Sequence, residues 1–452
     1  MDIQGKKVLV YGAGISGIAA VNLLAQINTD IVLFDSNKDA DVKELKKKLP
    51  KGVEVDIVLG SIPTNIRKTI EVVVLSPGVP TDLPDILQFA DDGISIIGEI
   101  ELAYMFSKGR IIAVTGTNGK TTTTSLIGEI LKAHYKSSFV VGNIGIPYTN
   151  MVTKTKNESV TVAEVSSFQL ETIREFTPDV SLILNITPDH LDRHHSMENY
   201  INAKMCVTKN QSEEQVCILN YEDEELRSRE SDISAKIMYF SSARALRNGI
   251  YLKDKDIIYN DGTRDILVCS INDLKLLGVH NYENVMAAVL GTIAIGVPLE
   301  TIVEVIKEFK SVVHRIEYVT EKHGVKYYND SKGTNPDAAI KAVQAMVSPT
   351  LLIAGGYDKD SSYDEWIDSF DNKIKMLVLI GQTREKILEV AKNKGFTNVV
   401  LAEDLEEAVS ICRDNAVEGD AVLLSPACAS WGMFKNYEER GDKFKDLVNG
   451  IR

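Results

Sequence analysis

The sequence predicts an α/β protein of three domains, because an apolar strand, a glycine-bearing turn and a helix recur three times along its 452 residues. The strands read as continuous apolar runs rather than alternating ones, and polar, function-bearing residues gather just after them. Such runs imply parallel strands covered on both faces, with ligand crevices beyond their carboxyl ends. The length also exceeds what one hydrophobic core of roughly 100–200 residues would organise.

The first unit, residues 1–98, has a strand over 8–11, the turn Gly12-Ala13-Gly14-Ile15-Ser16-Gly17, a helix over 18–27, a strand over 31–34 closed by Asp35, and a strand over 72–75 before Ser76-Pro77-Gly78. The turn imitates the dinucleotide fingerprint, in which a diphosphate sits on a helix N-terminus and an acid meets a ribose hydroxyl. Nothing in that geometry demands nicotinamide, and a UDP-carrying substrate satisfies it equally. A tight strand-to-helix turn without ligand is the bland alternative; an NAD-dependent dehydrogenase is the rival enzyme.

The second unit, residues 99–311, carries Gly116-Thr117-Asn118-Gly119-Lys120-Thr121-Thr122 between a strand over 111–114 and a helix with Leu126, Ile127, Ile130 and Leu131 on its apolar face. This is the context of a nucleotide phosphate loop. Backbone N–H groups and the helix N-terminus attract phosphate, Lys120 reaches the terminal phosphates, and a Thr121 or Thr122 hydroxyl binds Mg²⁺. Two residues, not four, separate the first glycine from Gly-Lys. A strand over 160–163 delivers Glu164, placed like an acid that completes a Mg²⁺ shell, with a buried capping role as its alternative. A strand over 182–184 delivers Asn185. In the Asp189-His190-Leu191-Asp192-Arg193-His194-His195 stretch only His190 is singled out, and the other two histidines read as structural. Lys204, on a helical pattern, reads by itself as a solvated lysine. Residues 222–271 read as a polar, irregular excursion without chemistry, with a short strand at 257–259 closed by Asn260-Asp261-Gly262. Further on, Gly278-Val279-His280-Asn281-Tyr282-Glu283-Asn284 opens a helix with an Asn at its cap.

The third unit, residues 312–452, has strands over 351–354, 376–380 and 422–424 with helices over 337–345, 385–394 and 405–415. His314-Arg315, Asp330-Ser331-Lys332-Gly333-Thr334-Asn335, Gly355-Gly356-Tyr357-Asp358-Lys359 and Ser425-Pro426-Ala427-Cys428-Ala429-Ser430 place an Arg, two Lys and several hydroxyls in loops, where small anions are held.

Composition narrows the function further. A net charge of −14 argues against nucleic-acid backbones or anionic membranes as partners. The five cysteines stand singly, without metal or disulfide spacing, and read as reduced core residues. There is no apolar leader and no run of eighteen apolar residues, so a cytoplasmic enzyme is expected.

In order, these motifs resemble those of the Mur ligase family, the ATP-dependent amide-forming enzymes of bacterial peptidoglycan synthesis, over essentially the whole chain. The loop at 116–121 is similar to the family's shortened phosphate loop. His280-Asn281 with Asn284, His314-Arg315, and Asn329-Asp330-Ser331-Lys332 with Thr334-Asn335 follow in the family's order. The turn at 12–17, Ser76-Pro77-Gly78-Val79, Glu164-Val165-Ser166-Ser167-Phe168-Gln169-Leu170-Glu171 and the 425–430 stretch resemble most the D-glutamate-adding branch. The Asp-Asn-Pro-Arg stretch usual in the diaminopimelate- or lysine-adding branch is absent.

The resemblance implies a Rossmann-like N-terminal domain, a central P-loop ATPase-type α/β domain and a C-terminal Rossmann-like α/β domain. It implies that an acyl phosphate forms on UDP-N-acetylmuramoyl-L-alanine and is taken by D-glutamate, with ATP and two Mg²⁺ ions. Ile15, Ser16, Ser36, Asn37, Ser76, Pro77 and Gly78 would hold the UDP part, and Asn143 and His190 its reacting end. The 116–122 loop with Lys120, Thr121, Asn284, Arg315 and Asp330 would surround ATP. Thr121, Glu164, His190 and Lys204 would serve the metals, Lys204 as a CO₂-derived carbamate, with Lys120, His190 and Lys204 as the catalytic set. Thr334, Lys359, Ser430 and Tyr437 would receive D-glutamate. Trp431, Tyr437 and His195 depart from the residues usual in the family. A monomer acting on small molecules only, with neither nucleic acid nor membrane as partner, is expected.

Overall fold

In the computed structural model, described over residues 3–27, 29–310, 312–358 and 361–451, the three repeats are three sheets. The first contains β1 (Lys7–Tyr11), β2 (Asp30–Asp35), β3 (Val55–Leu59), β4 (Val72–Leu75) and β5 (Ser95–Gly98), all parallel, in the order β3-β2-β1-β4-β5. Successive residues face opposite sides of a strand. Val8, Val10, Ile31 and Leu33 therefore enter one core, while Leu9, Tyr11, Val32 and Phe34 enter another. Burial on both faces is why β1, β2 and β4 read as unbroken apolar runs.

The chain's direction across this sheet reverses between β1 and β4, so the turns after those strands border the crevice. The helix Ile15–Leu24 starts at once after the glycine turn. A Cβ on Gly17 would lie 1.8 Å from the Gly12 carbonyl oxygen, so the third glycine of the turn permits helix and strand to approach. Gly17→Ala is expected to cost about 1–3 kcal/mol by overpacking, read as a lowered thermal unfolding midpoint.

The central sheet contains β6 (Arg110–Thr115), β7 (Ser138–Gly142), β8 (Val160–Glu164), β9 (Val180–Ile183), β10 (Val216–Asn220), β11 (Lys236–Ser241), β12 (Gly249–Lys253), β13 (Asp256–Asn260) and β14 (Asp265–Ser270). Its order is β14-β13-β12-β11-β10-β9-β6-β8-β7, which puts β6 between β9 and β8. The strand expected at 257–259 is β13, but the irregular excursion expected over 222–271 is corrected: β11 to β14 extend the sheet, with β12 antiparallel to β13. Their residues are mostly half-buried or exposed, and their apolar runs of three or four residues are short and set among charged ones. A second correction concerns the helix Val279–Ala294. It begins directly after Gly278, whose φ is 91°, so Asn281 and Asn284 lie within its first turns rather than at its cap.

The third sheet contains β15 (Glu317–Lys322), β16 (Val325–Asn329), β17 (Thr350–Gly355), β18 (Ile374–Ile380), β19 (Val399–Leu401) and β20 (Ala421–Leu424), in the order β15-β16-β20-β17-β18-β19. All neighbours are parallel except the hairpin β15–β16, which the sequence reading did not anticipate. Two cores again take alternate residues: Leu352, Ala354, Leu377 and Leu423 on one face, Leu351, Ile353, Val378 and Val422 on the other.

The chain packs as two compact units, Met1–Cys269 with Glu283–Ile306, and Ser270–Tyr282 with Lys307–Arg452. One apolar cluster runs from Val8 and Val10 of the first sheet through Ile100 and Tyr148 to Ala113 and Ala163 of the second. That shared core makes the first two sheets a single unit. Among the described residues no helix is long and apolar enough to cross a membrane.

Candidate active site

In the first unit, β6 ends at the phosphate loop. Gly116 has φ 143°, and Gly119, at φ 85°, caps the helix Lys120–His134 in a left-handed conformation. A Cβ on Gly119 would lie 2.2 Å from Asn284 Oδ1, so glycine is required there on both counts. The loop is braced from the end of β9: the Asn118 N–H donates to Asn185 Oδ1 (2.8 Å) and the Thr117 N–H to the Asn185 carbonyl (2.9 Å). Lys120 Nζ donates to the carbonyls of Gly116 and Thr117, both at 2.9 Å. Thr122 is buried, whereas Thr121 is half-buried, which leaves Thr121 the better placed hydroxyl for a cation.

Lys204 is not the solvated lysine that its local sequence suggests. It is 2% exposed, its Nζ donates to the Gly116 carbonyl (2.8 Å), and it lies 4.6 Å from the centre of the Tyr200 ring. Burial, with Lys120 beside it, pushes its pKa down to about 7. Two lysines thus share one carbonyl oxygen, an arrangement that favours a neutral amine on the more buried of them.

Glu164 ends β8 and is buried. The Asn143 amide donates to its Oε1 (2.8 Å), while Oε2 is buried without a hydrogen-bond partner. A buried acceptor left unsatisfied is costly, and a cation supplies the missing partner. Among the described residues, no three His, Cys, Asp or Glu side chains converge as a metal cluster. The carboxylate therefore fits Mg²⁺ that completes its shell with hydroxyl and phosphate oxygens.

The turn after β1 and the turn after β4 meet, since Ser76 Oγ donates to the Gly12 carbonyl (3.0 Å). Ile15 is 78% exposed, and Ser36 and Asn37 are exposed at the end of β2. Asp35 differs from the fingerprint's ribose-binding acid. Its two oxygens accept the Ala13 N–H (2.8 Å) and the Asn37 N–H (2.9 Å), so it organises its own loops. His190, at φ 54°, stands half-exposed with its ring 5.0 Å from Phe168. The other two histidines are held. His194 is buried between Ser167 Oγ (2.9 Å) and Glu171 (3.2 Å), and His195 bonds Asp82 (2.9 Å).

The second unit gathers its own cluster at the ends of β16 and β20. Asp330 is buried and accepts from Ser425 Oγ (2.7 Å) and the Ile316 N–H (3.3 Å); burial pushes its pKa up to about 7 against the pull of Arg315. Arg315 Nε is buried without a partner, between His314 and Ile316 at φ 66° and 44°. A β-branched residue at positive φ is strained, and such strain concentrates at functional turns. Arg440, 1% exposed, donates to Ser331 Oγ (3.0 Å), the Ser331 carbonyl (2.8 Å) and the Cys428 carbonyl (3.2 Å). Ser331 Oγ in turn donates to the Tyr437 carbonyl (2.8 Å). One guanidinium thereby ties together the segments that carry Thr334, Ser430 and Tyr437. Lys359 lies outside the described residues.

Family descriptions match these units in chain order: Mur ligase MurD-like, N-terminal domain, over residues 6–98; Mur ligase middle domain, over 114–291; and Mur ligase, glutamate ligase domain, over 314–428. A relative from Lachnoclostridium phytofermentans, a UDP-N-acetylmuramoylalanine--D-glutamate ligase, is 58% identical over 452 residues, covering 100% of both chains. The chain belongs to the Mur ligase family. A Clostridioides difficile relative of the same description is 45% identical over 453 residues, again with 100% of both chains covered. Among solved structures, UDP-N-acetylmuramate-alanine ligase MurC of Thermotoga maritima aligns at a TM-score of 0.59 with 18% identity, over 98% of this chain and 99% of that one. MurF of Acinetobacter baumannii aligns at 0.62 with 16% identity, over 98% and 93%. At those identities the likeness establishes the fold.

As a Mur ligase the protein is an ATP-dependent ligase of peptidoglycan synthesis, and Mur ligases use Mg²⁺. Of the residues the sequence reading singled out, the structure brings Lys120, Lys204 and the 116–122 loop together in one unit, and Asp330, Arg315 and Ser425 in the other. It also adds residues that reading passed over. Tyr200 places its hydroxyl 3.0 Å from Thr117 Oγ1 and its ring beside Lys204. Its spacing of four from Lys204 on one helix face was the available signal. Arg440 had none, since nothing local marks a buried guanidinium.

Proposed function

We propose that this Mur ligase joins D-glutamate to UDP-N-acetylmuramoyl-L-alanine in the cytoplasm, as a monomer, at the expense of ATP. The observation that carries the reading is the half-buried Lys120 with the buried Lys204 and the orphaned Glu164 oxygen around a phosphate loop. The named substrates are those of the 58% and 45% identical relatives.

The alanyl carboxylate attacks the γ-phosphorus of ATP, forming a C–O–P bond as the bond to ADP breaks. Like charges oppose that approach, and Lys120 swings from its two carbonyl acceptors to the phosphates to offset it. Thr121, Glu164, His190 and Lys204 would hold Mg²⁺, two ions in this reading, which when bound would supply charge neutralisation. Lys204 serves as a carbamate: its neutral amine bonds to the carbon of CO₂ as one C=O π bond opens onto oxygen, and an N–H proton passes to solvent, leaving a two-oxygen anion in place of the amine. The neutral amine of D-glutamate then attacks the acyl phosphate carbonyl, and phosphate leaves from the tetrahedral intermediate. His190 and Asn143 orient the reacting carboxyl end. Ile15, Ser16, Ser36, Asn37 and residues 76–78 hold the UDP part. Asn284, Arg315 and Asp330 face ATP, with the unpartnered Arg315 Nε suited to a phosphate oxygen. Thr334, Lys359, Ser430 and Tyr437 receive D-glutamate. The domains in this reading run over 1–98, 99–311 and 312–452.

Phosphate release measured with ATP, Mg²⁺, UDP-N-acetylmuramoyl-L-alanine and D-glutamate, each omitted in turn, tests the reading. Release is expected only with all four; release indifferent to D-glutamate would defeat it.

A further inference from the structure

We propose that Arg193 and Glu171 form a latch between the first and second sheets that positions the UDP-linked substrate against His190. Arg193 sits on the short helix Leu191–His194, whose flanking residues His190 and His195 both have left-handed backbone, at φ 54° and 63°. Its Nη2 donates to Glu171 Oε2 (2.8 Å) and to the Val79 carbonyl (3.2 Å), and its guanidinium carbon lies 5.0 Å over the Phe168 ring. Both side chains are mostly buried, at 13% and 16% exposure. Glu171 also receives His194 at its other oxygen (3.2 Å), and Thr81 Oγ1 reaches Oε2 (3.5 Å). Three segments thus converge on one ion pair: the turn after β4, the capped helix Ser167–Leu170, and the loop carrying His190.

Val79 directly follows Ser76-Pro77-Gly78, and Arg193 is one helical turn beyond His190. The latch therefore rests on the reading of those three residues as substrate-holding, and deepens it by adding two positioning residues that touch no substrate. Its partners fix its geometry. A buried charge-assisted pair is directional, and removing either member leaves the other without its ion-pair partner. Because the pair itself bridges the substrate turn and the His190 loop and makes no bond to the phosphate loop, its loss should fall chiefly on the UDP-linked substrate. General structural glue would not discriminate among them.

The test uses the full-length protein as Arg193→Met, which keeps bulk and removes the donors, and as Glu171→Gln. In both, KM for UDP-N-acetylmuramoyl-L-alanine is expected to rise about tenfold or more. KM for ATP and for D-glutamate should stay within about twofold of the parent. Arg193→Lys, which keeps the charge but not the two-acceptor fork, should fall between. Equal changes in all three KM values, no change in any, or failure of both variants to fold would overturn the latch and leave the pair a structural contact. Loss of the parent's own dependence on the UDP-linked substrate would instead overturn the functional reading beneath it.

Discussion

Lys204→Ala is expected to abolish ligation, lowering kcat by at least about a thousandfold, with partial recovery when short-chain carboxylic acids are added. Only a neutral amine can attack CO₂, so the lysine that does so must give up its proton easily. Lys204 is 2% exposed, and burial with Lys120 alongside brings its pKa to about 7. A large share is therefore neutral at pH 7. The sign follows directly: as pH falls through 7 the amine is protonated, carbamate formation is suppressed, and activity at limiting CO₂ should fall with it. Alanine removes the side chain but leaves the space beside the Gly116 carbonyl, which a free carboxylic acid can enter to restore two anionic oxygens. Initial rates across a formate, acetate and propionate series would show the recovery. A variant that turned over at the parent rate, with no acid added, would end the carbamate proposal.

The contrast between Lys204 and Glu164 explains what a sequence discloses about such a site. The phosphate loop was legible because its chemistry is local. Gly116, Gly119, Lys120 and Thr121 are neighbours, flanked by a strand and a helix whose patterns are strong. Glu164 was legible as a strand-end acid, since Val160, Val162 and Ala163 of β8 lead into it. Lys204 was not, because its burial is supplied by Gly116 and Tyr200 and only the fold brings Gly116, 88 positions away in sequence, against it. Only the family resemblance marked it. Arg440 was invisible for the same reason, since its partners are carbonyls and a hydroxyl from distant loops, and Arg193 because the fold alone brings Glu171 and the Val79 carbonyl to it. The fold divides along similar lines. Strands buried on two faces, such as β4 and β17, announced themselves, whereas of the half-exposed β11 to β14 only β13 was legible, and the hairpin β15–β16 carries a mixed pattern.

Glu164→Gln should separate the stability of the fold from its function. In the free protein Oε2 is a buried acceptor with nothing to accept from, and a buried charge without a partner costs stability. Gln keeps the shape, keeps an oxygen for the Asn143 amide, and removes the charge. The variant is therefore expected to melt at or above the parent's temperature when Mg²⁺ is withheld. With Mg²⁺ and ATP the order should reverse, because ligand that binds only the folded parent raises its midpoint while the variant presents an amide donor where a cation belongs. Activity should fall by about a hundredfold to a thousandfold, with a higher Mg²⁺ concentration needed for half-maximal rate. Melting curves of both proteins across a Mg²⁺ titration, beside initial rates, decide the matter. A variant that gains the same Mg²⁺-dependent stabilisation as the parent would show that the orphaned oxygen has another purpose, and that the cation must be sought elsewhere around the phosphate loop.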